Sequence, residues 1–522
     1  MIRRAVRAGA ATEVLGPYLE RLRTELEIPV EYPADALAEA EAAAARSFEA
    51  GAGAARVDLR ELPFVTLDPV GSRDLDQAFF LRRVDGADDA GRAADADRAA
   101  DAASVDAAPG RGTAAFEVFY AIADVAAFVD PGGALDAETH RRALTVYGPD
   151  GRFGLHAAVL SEGAASLLPD VDRPAVVWRM RLDASGELLE NIDVRRSIVR
   201  SRGQLDYPSV QRQLDDGTAD ELIRLLAEIG QLRIDAQFAR GGATLEAPDQ
   251  EIQPSDDGAR YRLVLREPLA CEEFNAQLSL LTGIAAARLQ RLAGVGIWRT
   301  LDPARDEDIE RLRRVASSLG FDWPAHESYA GFVLTLDPSR PEYAAFATEA
   351  TRLFRGAGYV AFGTPASPGV PSDASHSAIA AEYAHVTAPL RRLVDRYGTE
   401  IALAFSAGEA VPAWVVDALD ALPGEMADGA RRANAYERET VDVLEAVLLQ
   451  PLIGEELDGI VVESSPTGNA EENLAKATVL LRDPAVRARV VGDAASLELG
   501  ASVRVLVNAA DPEQRTVTLR VM

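Results

Sequence analysis

Apolar positions change their spacing twice along this chain. At the start, Leu15, Leu19, Leu22 and Leu26 recur at helical intervals, and residues 36–50 are rich in Ala and Glu with no Gly or Pro inside the run of alanines. Residues 1–55 are therefore predicted to be a small helical cap or adaptor. From Val57 the runs shorten to strand length: 64–67, 79–81, 116–122 and 176–182. Long amphipathic patterns follow at 218–240, 268–294, 305–319, 341–355 and 411–450. Strands followed by helices imply an α+β body over 56–450. The end of the chain returns to five short strand patterns, at 457–463, 476–481, 487–491, 502–508 and 515–521, separated by Ser, Gly, Asp and Pro. Five such strands fit a small OB-type β-barrel over 451–522.

Composition alters this picture at two places. Residues 84–113 carry seven Asp and three Arg with no aromatic residue, which reads as a disordered acidic insert interrupting a hairpin. The whole chain has 83 acidic against 54 basic residues, a net charge of −29. That balance is wrong for a protein that coats nucleic acid, so any nucleic-acid site has to be local. The single cysteine, Cys271, excludes a disulfide framework and a thiolate metal cluster. No apolar run approaches the ~20 residues of a membrane span, and the basic N-terminus is not followed by the apolar core of a secretory signal. The expected location is cytoplasmic, with no membrane association and no obligate protein partner.

The densest chemistry lies in Phe64-Val65-Thr66-Leu67-Asp68-Pro69-Val70-Gly71-Ser72-Arg73-Asp74-Leu75-Asp76-Gln77. An apolar strand delivers Asp68, and Pro69 and Gly71 supply a turn. In extended chain Asp74 and Asp76 share a face while Leu75 points to the core. Three carboxylates and an amide on one loop suit Mg²⁺, which takes hard oxygen ligands and keeps room for water and phosphate. Acids that cap a turn would give the same local pattern.

This acidic stretch resembles the signature of the ribonuclease II (RNB) exoribonucleases. Further blocks are similar to that family in the same order: Ile122-Ala123-Asp124-Val125, Gly132-Gly133-Ala134-Leu135-Asp136, Val146-Tyr147, Ala165-Ser166-Leu167, Asp172-Arg173-Pro174, Leu205-Asp206-Tyr207 and Glu272-Glu273-Phe274. The last is Tyr383-Ala384-His385-Val386-Thr387-Ala388-Pro389-Leu390-Arg391-Arg392-Leu393-Val394-Asp395. The resemblance covers about 57–397 and implies an RNB catalytic domain that removes 5′-nucleotides from the 3′ end of single-stranded RNA.

Carried over residue by residue, it implies Mg²⁺, or Mn²⁺ in its place, held by Asp68, Asp74, Asp76 and Gln77. The last is a departure, since the family usually has a fourth Asp there and Gln contributes no charge. Asp76 and Arg391 take catalytic roles, Arg391 by holding the scissile phosphate. Tyr147, His385, Thr387, Arg391 and Arg392 contact RNA, with Tyr147 against the terminal base. With only about 55 helical residues ahead of the catalytic body, the family's usual N-terminal cold-shock-type barrels are not expected. The C-terminal barrel has no Phe, Tyr or Trp between Pro451 and Met522 and carries 11 acids against seven bases. It lacks the aromatic platforms and basic groove with which OB-folds grip single strands. The alternative reading is a catalytically weak or inactive RNB-like protein that binds RNA without cutting it.

Overall fold

The computed structural model describes residues 4–6, 12–49, 55–84, 113–242, 249–254, 261–266, 268–337, 340–354, 356–466, 474–482, 484 and 486–522. Most of the acidic insert lies outside these residues.

The body is organised on a five-stranded sheet in the order Val57–Asp58, Asp193–Arg200, Asp172–Leu182, Phe116–Ala123 and Gln77–Arg83. Its main ladders are antiparallel, and Val57–Asp58 joins in parallel. Gln77–Arg83 and Phe116–Ala123 pair as the hairpin that the insert was expected to interrupt, with Gln77 opposite Ile122. Alternation in the central strand sends Phe116, Val118, Tyr120 and Ile122 to one core, shared with Ile229, Leu278 and Trp298. Phe119, Ala121 and Ala123 face a second core with Phe64, Leu75 and Leu167. Both faces are covered, and every residue of Phe116–Ala123 is buried.

Helices Glu221–Ala239 and Ala270–Ala293 pack on the first face and on each other. Asp220 caps the former by accepting the Ile223 N–H at 2.9 Å, satisfying a donor that the first turn leaves unpaired. Helix Leu393–Ala407 packs against Ala270–Ala293 and the Asp193–Arg200 strand. The pattern over 411–450 resolves into Ala413–Leu419 and the long helix Leu422–Leu449, and that over 341–355 into Pro341–Ala350 and a short 3₁₀ turn.

At the C-terminus, Glu456–Pro466, Leu474–Leu481, Arg487–Asp493, Thr516–Val521 and Ser502–Asp511 close into a five-stranded barrel in that spatial order. The barrel core continues into helix Leu422–Leu449 and into Leu15 and Leu19 of helix Thr12–Glu25. The N-terminal segment is helical over Thr12–Glu25 and Ala34–Ala44, with one correction: Arg4–Val6 is a strand paired with Asp249–Pro254. Three residues carry too little pattern to announce a strand whose partner lies about 245 residues away. No described helix is long and apolar enough to cross a membrane.

Candidate active site

Three segments meet at the Gln77 end of the sheet. The first is the acid loop. Strand Thr66–Asp68 pairs in parallel with Gln204–Asp206, which brings Asp68 to the strand's end. The turn after it places Gly71 at φ +82°, a conformation that costs Gly little. Leu75 is fully buried, its N–H donating to Ser166 Oγ at 3.0 Å and its carbonyl accepting from the Leu167 N–H at 3.0 Å. The Ser166 hydroxyl in turn donates to the Arg73 carbonyl at 2.6 Å. The Ala165-Ser166-Leu167 block is thus the anchor that fixes Asp74 and Asp76 on either side of a core residue.

The second segment is the 383–395 loop. Asp395, completely buried, accepts from the Ala388 N–H at 2.6 Å and from Arg392 Nε and Nη2 at 2.8 and 2.7 Å. Arg392 is therefore committed to holding the loop. Arg391 turns the other way, with its Nε 3.7 Å from Asp76 Oδ2 and its side chain 48% exposed. The Leu390 N–H donates to Asp76 Oδ1 at 2.7 Å, across 314 residues of sequence. Gln77 Nε2 donates to the Thr387 carbonyl at 2.6 Å, while Gln77 Oε1 accepts from the Tyr120 and Ser279 hydroxyls.

The third segment is the hairpin Val146–Gly148 and Gly151–Phe153, in which Tyr147 lies opposite Arg152. Tyr147 is 44% exposed. Burial pushes its phenol up, against the charge of Arg391, and its register partner Arg152 ties the hairpin to the acid loop through Asp74. Arg152 bridges Asp74 and Glu162.

The electrostatics are those of acids confined without enough compensation. Burial raises Asp68 to about 6, against the pull of Arg391, with Asp74 adding repulsion. Burial likewise raises Asp76 to about 8, opposed by Arg391 and by the Leu390 N–H. Asp68 Oδ2 is buried with no hydrogen-bond partner. A carboxylate oxygen left bare beside two further acids is the donor set that a hard divalent cation would complete. As the side chains stand, however, no three acidic, His or Cys groups among the described residues converge closely enough to hold an ion. Asp74 is closed onto Arg152, and both polar ends of the Gln77 amide are engaged.

The expected residues are thus brought together, with differences in contact. Asp68, Asp74, Asp76, Tyr147 and Arg391 face one region. Gln77 ties three elements through its amide, and Thr387 is buried against Gln77 and Arg392. His385 Nδ1 lies 2.7 Å from the Tyr359 hydroxyl, and burial, then Arg392, hold the imidazole well below its usual pKa. Sequence reasoning missed Arg152, Tyr120 and Ser279. Only Arg152 had a local signal, since Pro149-Asp150-Gly151 marks a tight turn returning it beside Tyr147.

Residues 56–401 match the family described as RNB domain, and residues 455–522 match the RNase II-type exonuclease C-terminal S1 domain. The chain is 26% identical over 499 residues to ribonuclease R of Vibrio cholerae, covering 88% of this chain and 55% of that protein. It is 26% identical over 422 residues to exoribonuclease 2 of Escherichia coli, covering 77% and 58%. It spans about half the length of the Vibrio and Escherichia ribonuclease R relatives. Among solved structures, RNase R of Mycoplasma genitalium in complex with ribose methylated single-stranded RNA superposes with a TM-score of 0.78 at 17% identity, over 97% of this chain and 77% of that one. Yeast Ssd1, a pseudonuclease, superposes at 0.68 and 14% identity, over 96% and 58%. At those identities the likeness is one of fold.

Proposed function

The chain belongs to the RNB family, and on that premise we propose that it is a Mg²⁺-dependent exoribonuclease that removes 5′-nucleotides from the 3′ end of single-stranded RNA. The observation that carries this reading is the meeting of the acid loop with the 383–395 loop: the Leu390 N–H donates to Asp76, and Arg391 faces the same carboxylate. A metal-binding set and a guanidinium placed to face a phosphate are the two components that phosphodiester hydrolysis needs.

Asp68, Asp74 and Asp76 would hold the metal, with Asp74 released from Arg152; Gln77 supports the loop rather than joining the ligand set. A divalent ion held there would supply the means to activate a water and to offset charge on the leaving oxygen. The remaining work falls to the chain's own groups. Arg391, charged and accessible, draws the scissile phosphate against the acids and offsets the charge that develops on it. Tyr147 stacks on the terminal base, an interaction indifferent to sequence and worth about 1–3 kcal/mol. Asp76, fixed at Oδ1 by the Leu390 N–H, keeps Oδ2 turned towards Arg391 and the incoming phosphate.

The test is incubation with 5′-labelled single-stranded RNA in Mg²⁺ and in EDTA. A ladder shortening from the 3′ end in Mg²⁺ alone is expected, and cleavage that survives chelation would remove the metal from the mechanism. A second reading, RNA binding without cleavage, is favoured by one observation, the ion pair that closes Asp74 onto Arg152. It predicts RNA binding with no ladder under any metal.

A further inference from the structure

The hairpin of Gly296–Thr300 and Gly358–Phe362 carries a cation and a ring that the roles above leave unused. Arg299 and Tyr359 are directly opposite in its register. Directly opposed residues share a face, and the guanidinium carbon of Arg299 lies 4.8 Å from the centre of the Tyr359 ring. This hairpin is continuous with the candidate active site. The Arg299 N–H donates to the Tyr383 carbonyl at 2.8 Å, Tyr383 packs edge-on against His385 at 5.4 Å, and the Tyr359 hydroxyl meets His385 Nδ1 at 2.7 Å. Arg392, Arg299 and Arg391 all act electrostatically on His385.

Arg299 is distinguished by what it lacks. Its guanidinium has no carboxylate or carbonyl partner among the described residues, and it rests against the tyrosine ring. In a chain of 83 acids and 54 bases, leaving a guanidinium without an acid runs against composition. By contrast Arg392 is committed to Asp395 in a two-pronged pair. A guanidinium resting over a ring keeps its in-plane N–H donors available at the edge, and those donors match the oxygens of a phosphate. The neighbouring His385 is neutral, so it adds a hydrogen-bonding edge and no competing charge.

We propose that Arg299, steadied over Tyr359 beside His385, binds an internucleotide phosphodiester of single-stranded RNA at a subsite separate from the phosphate position of Arg391. The proposal rests on the reading of RNA as substrate. The geometry makes Arg299 the phosphate ligand, Tyr359 its platform and His385 the group that orients the platform's hydroxyl. None of the three exchanges a proton or a bond with the strand.

The experiment measures equilibrium binding of a single-stranded 20-mer RNA to Asp76→Asn protein, with and without Arg299→Gln, across a salt series. Loss of one charge-assisted contact should weaken binding about tenfold and make the log–log salt slope shallower by about 0.7. Arg299→Lys, which keeps the charge without the planar donors, should keep the slope and lose about threefold in affinity. Tyr359→Phe, which keeps the ring, should also keep the slope. Melting curves accompany each variant, and if Arg299→Gln does not fold, the Lys variant carries the test: a slope lost together with affinity there overturns the proposal. Wild-type affinity and slope in a folded Arg299→Gln protein would also overturn it while leaving the exoribonuclease reading intact. If the parent Asp76→Asn protein itself fails to bind RNA, both fall.

Discussion

At the scale of single residues, Asp76 and Gln77 are neighbours with opposite duties. Asp76 presents a carboxylate to Arg391 and to any metal, whereas Gln77 spends its amide on Thr387, Tyr120 and Ser279. Asp76→Asn should therefore abolish cleavage and leave RNA binding within a few-fold, measured by ladder and by titration. Retained cleavage would show that Asp76 is not in the metal set. Gln77→Asp keeps an acceptor for the two hydroxyls but loses the donor to Thr387 and adds a fourth charge. It should tighten Mg²⁺ binding and lower the melting temperature, a split visible by titration and thermal unfolding. The raised acids also fix a pH dependence. In the metal-free protein their folded pKa values, about 6 for Asp68 and about 8 for Asp76, exceed those of free carboxyls. Protonation is thus favoured by folding, and stability declines as pH rises through that window. A metal must displace those protons, so Mg²⁺ affinity should climb between about pH 6 and 8. Calorimetric titration at pH 6, 7 and 8.5 checks this, and a flat profile would mean that neither acid takes part.

At the scale of elements, the Tyr147 hairpin is held from behind by the N-terminal helix. Arg23 donates to Asp150, in the hairpin's turn, at 2.5 Å and lies 5.4 Å from the Phe153 ring centre. Leu22, Val146 and Tyr436 form a small apolar cluster beneath it. Tyr32 and Arg142 tie the chain at Gly154 and Leu155 to the segment that follows this helix. Residues outside the span matched to the RNB family thus position a residue proposed to hold the terminal base. Arg23→Ala and Asp150→Asn should each raise KM for short oligonucleotides several-fold with little change in kcat. Because Arg23 also touches Phe153 and Tyr436 while Asp150 is reached through the shared contact, the double variant should be no worse than Arg23→Ala alone. Additive effects, or loss of kcat with unchanged KM, would separate the helix from substrate positioning.

For the whole molecule, the arithmetic of charge decides how RNA can be held. At −29 the exterior repels a polyanion, so affinity for RNA would have to come from arginines near the site that are not spent on a neighbouring acid, Arg299 over its ring and the half-exposed Arg391. A strand held at roughly five phosphates would give a log–log salt slope of about −3 to −4. Arg489→Gln with Arg520→Gln, both exposed on the barrel, should leave that slope unchanged, because the barrel offers neither aromatic platforms nor net positive charge. A shallower slope in the double variant would assign the barrel a share in gripping RNA. Deleting the barrel is a poorer test, since its core is continuous with helices Thr12–Glu25 and Leu422–Leu449.

Periodicity sufficed for the amphipathic helices and the barrel strands, because burying one face leaves its spacing in the sequence, whereas Phe116–Ala123, buried on both faces, stood out as a near-continuous apolar run of strand length. Local motifs also named Asp68, Asp74, Asp76, Tyr147 and Arg391 as a group, through order along the chain and family resemblance. The strand Arg4–Val6 and the hairpin of Gly296–Thr300 with Gly358–Phe362 escaped notice, because their pairing partners are distant and their spans are short. The contacts that assign duties escaped for the same reason. That Gln77 braces Thr387, that Asp74 faces Arg152, that Leu390 donates to Asp76 and that Arg299 lies over Tyr359 without an acid are all facts of juxtaposition. Sequence determined which side chains are present and which face of each element is apolar. Only the packing of sheet, helices and loops decided which of those side chains spend their hydrogen bonds on one another and which remain available to a phosphate.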